Sequence, residues 1–228
     1  MNYAAVDRAI RSGDAYRAVS ALCRPALTEI AEGRREMRAV RHPLGFLCLP
    51  LYRDGLRGVC LHVWSQALAH VEPTTSQIHS HSWDLLSYVL YGRVGNTLMQ
   101  VVDDPAAGAY RIFEVHSQGD LDEIRATPRQ VRCLAAGHET AGPGDLYQLP
   151  AGRFHRTVVQ DGSEAATVAL GRVRAALDLS LGRLDTPTHR VRRQHCGPQE
   201  TTRAAAIVLA RLVDQPACSD STGRQGLG

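Results

Sequence analysis

The chain has 228 residues, enough for one core with terminal additions. Hydrophobic residues make up 44% and charged residues 21%, which excludes wholesale disorder. A net charge of +3 makes no demand for nucleic acid or an anionic membrane as partner, and aromatics at 5% leave little for stacking on single-stranded bases.

All 26 basic residues are arginine, so a lysine-bearing phosphate loop and a pyridoxal Schiff base are both excluded. The cysteines (Cys23, Cys48, Cys60, Cys133, Cys196 and Cys218) are scattered, with no C-x-x-C pair. That spacing matches neither a zinc cluster nor a disulfide framework. The opening residues lack the apolar stretch of a signal peptide, and no apolar run approaches the roughly 18 residues of a membrane span. A soluble protein of the reducing cytoplasm is expected.

From Tyr3 to about Gly33 the apolar period is helical. Asp14 reads as an N-cap, Val19, Leu22, Ala26, Leu27 and Ile30 recur every three or four positions, and Gly33 closes the run. Pro25 predicts two short helices or a kink.

Between about Leu44 and Val173 the chain turns to short β-rich runs. They are Gly45–Leu51, Gly58–Ser65, Leu85–Tyr91, Thr97–Val102, Tyr110–Val115, Val131–Ala135, Asp145–Leu149, His155–Val159 and Ala165–Val173. Turn signals separate them at Asp54-Gly55, Asp103-Asp104-Pro105, Gly142-Pro143-Gly144 and Asp161-Gly162. Many short strands at this spacing predict a sandwich or small barrel. Asp185–Gln199, with the basic run Arg190–Arg193, reads as a solvated loop, and Thr202–Val213 as a helix. The expected organisation is a helical segment over 1–40, a β-barrel over 41–176, a loop and helix over 177–214, and a disordered tail over 215–228. There is no internal repeat.

Two stretches carry chemistry. The first is Ile78-His79-Ser80-His81, with Gly92 eleven residues beyond His81. Histidines at i and i+2 of a strand share a face, so their imidazoles can converge. The second runs from Gly144 through Pro150 and Gly152 to His155, a strand, a Pro-x-Gly turn and a histidine near the start of the next strand. Three neutral imidazoles on strands make a facial site for a divalent transition metal, with positions open for substrate and dioxygen.

These stretches resemble the two motifs of the cupin superfamily. The second fits at Gly144, Pro150, Gly152 and His155, with Val159 in place of the closing asparagine. The first fits at His79, His81 and Gly92, with Pro73 in place of the opening glycine and Leu85 in place of the glutamate ligand. The motifs span about Ile78–Val159. The resemblance implies a mainly β fold, a double-stranded β-helix or jelly-roll barrel flanked by N- and C-terminal α-helices. It also implies one metal on His79, His81 and His155, most often iron(II), with nickel, manganese or zinc as alternatives. Asp84, one position off the glutamate's register, is a neighbouring carboxylate.

Cupins with three histidines and no carboxylate look like the thiol dioxygenases. Ahead of the first motif the chain is also similar to cysteine dioxygenase, where a tyrosine and an arginine precede a strand ending in tryptophan. Here Tyr52-Arg53 precede Val59–Trp64, which implies that Arg53 clamps a substrate carboxylate. No cysteine stands near Leu85 or Leu86 to cross-link a tyrosine, and no S-x-H-x-Y follows His155. A closer resemblance is to the cupin dioxygenases that turn L-cysteine into a sulfonamide building block.

The expected function is a mononuclear non-haem iron dioxygenase acting on a small thiol amino acid such as L-cysteine in specialised metabolism. Its partners would be that substrate and dioxygen, with neither nucleic acid nor membrane, and a homodimer through the sheets is open. The alternatives are an oxygen-independent isomerase, decarboxylase or lyase, or a non-catalytic ligand-sensing cupin. Expected pocket residues are Arg53, Tyr91, Tyr147, Arg153, Trp83 and His62, with no catalytic group beyond the metal centre. His62 also reads as a satisfied core histidine, and Tyr91 and Tyr147 as core packing. His42, His70, His116, His138, His189 and His195 read as surface histidines, and Cys60 and Cys133 as small buried hydrophobes.

Overall fold

The computed structural model of the chain describes residues 1–69, 71–160, 163–174 and 177–213. His70, the Asp161-Gly162 turn and the tail over 215–228 lie outside the described residues.

Two helices come first, α1 (Tyr3–Ile10) and α2 (Ala15–Ala31). Asn2 caps α1, its Oδ1 accepting from Ala5 N at 2.9 Å, and Asp14 caps α2, accepting from Arg17 N at 3.3 Å. The break falls between these helices rather than at Pro25, through which α2 runs unbroken. Pro25 and Ala21, whose carbonyl loses its intrahelical donor, are both exposed, so the loss falls on the solvent side while Cys23, Ala26 and Leu27 hold the buried side.

The strands follow as β1 (Val40–His42), β2 (Phe46–Asp54), β3 (Arg57–Trp64), β4 (His79–Ser80), β5 (Trp83–Tyr91), β6 (Val94–Asp103) and β7 (Tyr110–Gln118). After them come β8 (Leu121–Ala141), β9 (Leu146–Leu149), β10 (His155–Val158), β11 (Ala165–Val173), β12 (Asp178–Gly182), β13 (His189–Arg192) and β14 (Gln194–His195), then the helix α3 (Pro198–Val213). The stretch 185–199, expected as loop, therefore contains two short strands and the start of α3.

The strands form two seven-stranded sheets, ordered β14-β1-β2-β3-β11-β5-β9 and β13-β8-β6-β10-β4-β12-β7. The chain crosses between them at every step from β3 to β6 and again from β8 to β12. This alternation is the double-stranded wrap of a jelly roll, so the mainly β barrel with flanking helices is the observed fold. The run Val131–Ala135 lies inside the much longer β8, whose first part pairs with β7 and second with β6.

Period-two alternation gives the first sheet two apolar faces. Outward, Leu47, Leu49, Val59, Leu61, Val63, Leu86 and Val168 pack against Val19 and Leu27 of α2 and Val208 and Leu212 of α3. Inward, Phe46, Trp64, Leu85, Val89, Tyr147 and Ala169 pack together with Leu98 of the second sheet. Gly92 turns β5 back into β6 at φ 77°, and a Cβ there would stand 2.1 Å from the Glu164 carbonyl oxygen. Only glycine fits this position. Among the described residues no helix is long and apolar enough to cross a membrane.

Candidate metal centre

β4 and β10 are neighbours in the second sheet, and their register sets His79 directly opposite His155. His155 in turn faces Leu98, whose side chain belongs to the inner cluster. Both imidazoles therefore point into the barrel. Ring centroids are 4.2 Å apart for His79 and His155, 4.7 Å for His79 and His81, and 5.1 Å for His81 and His155. One ring nitrogen from each of the three lies within 4.8 Å of the others.

Backbone hydrogen bonds lock the two motifs together. Gly152 N donates to the His81 carbonyl at 2.8 Å. Ala151 N donates to Asp84 Oδ1 at 3.0 Å, while Arg174 Nε donates to Asp84 Oδ2 at 2.7 Å. Asp84 thus braces the Pro-x-Gly turn that launches His155, and its oxygens are engaged away from the histidine cluster. Leu85, at the glutamate position, is buried in the inner apolar cluster.

The ring protons are set by main-chain carbonyls, which only accept. His79 Nδ1 donates to Gln77 O at 2.9 Å and His155 Nδ1 to Arg153 O at 3.0 Å. Their Nε2 atoms then carry lone pairs. His155 Nε2 is buried with no hydrogen-bond partner. Burial lowers the pKa of all three imidazoles and so favours their neutral form, and the neighbouring rings add to this at His79 and His81. A buried lone pair without a donor, as at His155 Nε2, is costly. A divalent cation meets that need, so this donor set fits a metal of the kind held by neutral nitrogen ligands.

Around the cluster, His81 stacks on Trp83 at 4.2 Å. Tyr147 is buried on the inner face beside Ser87 and Thr167, its phenol pushed up by burial. Tyr91 packs in the cluster beneath the helices, with Glu164 and Arg211 as its charged neighbours. Two expected pocket residues are placed differently. The Arg153 side chain is exposed, and what reaches the site is its carbonyl. Arg53 is exposed near the end of β2, and its charge bears on Cys48 and Cys60.

His42 corrects the surface expectation. The Pro43-Leu44-Gly45 turn folds β1 onto β2 with His42 opposite Phe46. The rings stack at 4.3 Å, and burial together with His62 pushes the imidazole down to about 3. Phe46 continues the row to His62 at 4.4 Å and Trp64 at 5.0 Å.

A second cluster escaped the sequence reading. Cys48, Cys60 and His62 each place a ligand-type atom within 4.8 Å of the others. The two thiols are linked, Cys60 being pulled down by the Cys48 thiol and Cys48 pushed up in turn. The only signal was C-x-H on one strand with a cysteine twelve residues before it, which becomes a cluster only through the β2–β3 register. Two surface clefts, of about 300 Å³ beside His116 and Asp178 and about 170 Å³ beside Asn96 and Glu139, are lined by none of His79, His81 or His155.

No protein-family profile and no curated protein sequence matches the chain. Among solved structures it is similar to a cupin superfamily protein from Desulfitobacterium hafniense, at 10% identity and TM-score 0.32, over 57% of this chain and 78% of that one. It is similar to the polyketide cyclase RemF from Streptomyces resistomycificus, at 18% identity and TM-score 0.36, over 76% of this chain and 93% of that one. It is also similar to hydroquinone 1,2-dioxygenase from Sphingomonas sp. TTNP3, at 13% identity and TM-score 0.29, over 56% of this chain and 65% of that one. The cyclase and dioxygenase activities are those proteins' own.

Proposed function

We propose that the chain is a metal-dependent oxygenase that binds iron(II) through His79, His81 and His155 and oxidises a small thiol amino acid such as L-cysteine at sulfur. The observation that carries this reading is the composition of the donor set, three neutral imidazoles with no carboxylate. Asp84 is tied to Ala151 and Arg174, and Leu85 stands where a glutamate ligand would be. A neutral ligand set leaves the full charge of the cation to attract an anionic thiolate and to bring substrate and dioxygen into contact.

The chain's own residues bind and orient. Gln77 and Arg153 carbonyls hold the imidazole tautomers, Trp83 fixes the His81 ring from behind, and Phe46, Trp64 and Leu98 exclude water from the interior. Tyr147, Ser87 and Thr167 offer hydroxyls on the facing wall for a polar substrate group. Holding reactants together in this way is where such a site gains most of its rate.

The test is dioxygen uptake by iron(II)-loaded protein supplied with L-cysteine, with products identified by mass spectrometry. Uptake coupled to an oxidised sulfur product is expected. Full metal loading with no uptake for any thiol amino acid would overturn the reading and favour oxygen-independent Lewis-acid chemistry.

A further inference from the structure

We propose that Cys48, Cys60 and His62 form a second metal site, for a thiophilic cation of the zinc type, on the barrel wall supplied by the first sheet. It is independent of the oxygenase reading and shares no ligand with the three histidines.

The geometry is that of a built site. Cys60 and His62 alternate along β3 and share its inner face, and Cys48 stands directly opposite His62 in β2. The three ligand atoms lie within 4.8 Å of one another. Zinc–sulfur bonds near 2.3 Å and zinc–nitrogen bonds near 2.0 Å put tetrahedral ligand atoms about 3.5–3.8 Å apart. The gap closes by small side-chain rotations, because all three ligands sit on one rigid hairpin.

A disulfide suits the pair less well. Cys60 lies two residues along β3 from His62, the residue opposite Cys48, so the cysteines are diagonal neighbours. Diagonal Cα atoms are typically about 7–8 Å apart, beyond the usual 4.4–6.8 Å span of a disulfide. A metal bridges that distance without moving the backbone. Sulfur ligands select zinc-type ions over harder cations. Two thiolates and a neutral imidazole around a dication leave no net charge beside Arg53 and Arg193, whose charges already bear on Cys48. The site sits next to the irregularity between Pro50 and Tyr52, where the β2–β3 ladder slips, so a metal would pin the hairpin where hydrogen bonding is interrupted. Three protein ligands leave one coordination position open to the interior.

The experiment is a cobalt(II) titration of the full chain, stripped of metal and reduced. Thiolate ligation gives a sulfur-to-cobalt charge-transfer band in the near ultraviolet, which imidazole ligation alone does not. The band is expected in the parent, is displaced by zinc, survives in His79→Ala, and is lost in Cys48→Ser and Cys60→Ser. Its absence from the parent, or its survival in both serine variants, would overturn the site. Should the serine variants fail to fold, alkylation of the native parent is mapped by peptide mass. Zinc is expected to slow labelling of Cys48 and Cys60 selectively, and equal rates with and without zinc would overturn the proposal. So would recovery of a Cys48–Cys60 disulfide from protein prepared without reductant, if no cobalt band appeared after reduction. Failure of cysteine oxidation would leave the cobalt result untouched, so the two readings fail separately.

Discussion

His155 Nε2 is the atom on which the metal reading turns. It is buried, carries a lone pair because its partner nitrogen donates to Arg153 O, and meets no donor. With a metal at 100 times its Kd, binding should stabilise the folded parent by about 2.7 kcal/mol. His155→Ala should lose both bound iron and the iron-dependent rise in Tm, measured by elemental analysis of iron-loaded protein and by thermal unfolding. Full iron occupancy in that variant would refute the ligand set. His79, His81 and His155 were legible because each motif keeps its ligand beside a strand turn. His42, Cys48 and Cys60 were not, because they meet only through the pairing of β1, β2 and β3, which no local spacing encodes.

His42 gives a pH prediction. Its folded pKa is lowered to about 3, below an ordinary value of 6.5. As pH falls through 6.5 the unfolded chain takes up a proton that the folded chain refuses, so stability is present above 6.5 and is lost toward pH 3. The slope for one such group is about 1.4 kcal/mol per pH unit. His42→Phe keeps a ring on Phe46 and removes the proton site, so its stability should fall less steeply than the parent's over that range. Parallel denaturant curves at pH 6 and pH 4.5 would show otherwise.

Among the elements, β11 supports the histidines from across the barrel. Gly171 lies under Trp83, and a Cβ there would stand 2.9 Å from the indole Cε3. Trp83 stacks on His81, so Gly171→Ala should displace the indole and loosen the ligand. The expected results are a change in tryptophan fluorescence, a cost of about 1–3 kcal/mol from overpacking, and weaker metal binding. Unchanged fluorescence with unchanged metal affinity would show that the ring stack plays no such part. The apolar runs read correctly as strands because burial on both faces leaves them continuous, as in β11, where Ala165 to Leu170 are all buried. The polar strand β13, alternating half-buried and exposed, and the exposed residues of β8 carry no apolar period, so their pairing was not legible. Pro25 does not split α2, because its buried neighbours decide the helix and its own side is exposed.

At the scale of the whole molecule, the helices of the described residues pack on the first of the two sheets. The first is held between α1, α2 and α3 on one side and the barrel core on the other, whereas much of β8 in the second sheet is exposed. Backbone openings should therefore be graded across the barrel. Amide hydrogens in β3, β5 and β11 should exchange with deuterium only through global unfolding, while those of β8 exchange through local opening at much lower free energy. Equal protection in both sheets would contradict this. A wall that opens locally admits small solutes, so the passage from solvent to the interior should run through the second sheet, the one that carries His79 and His155.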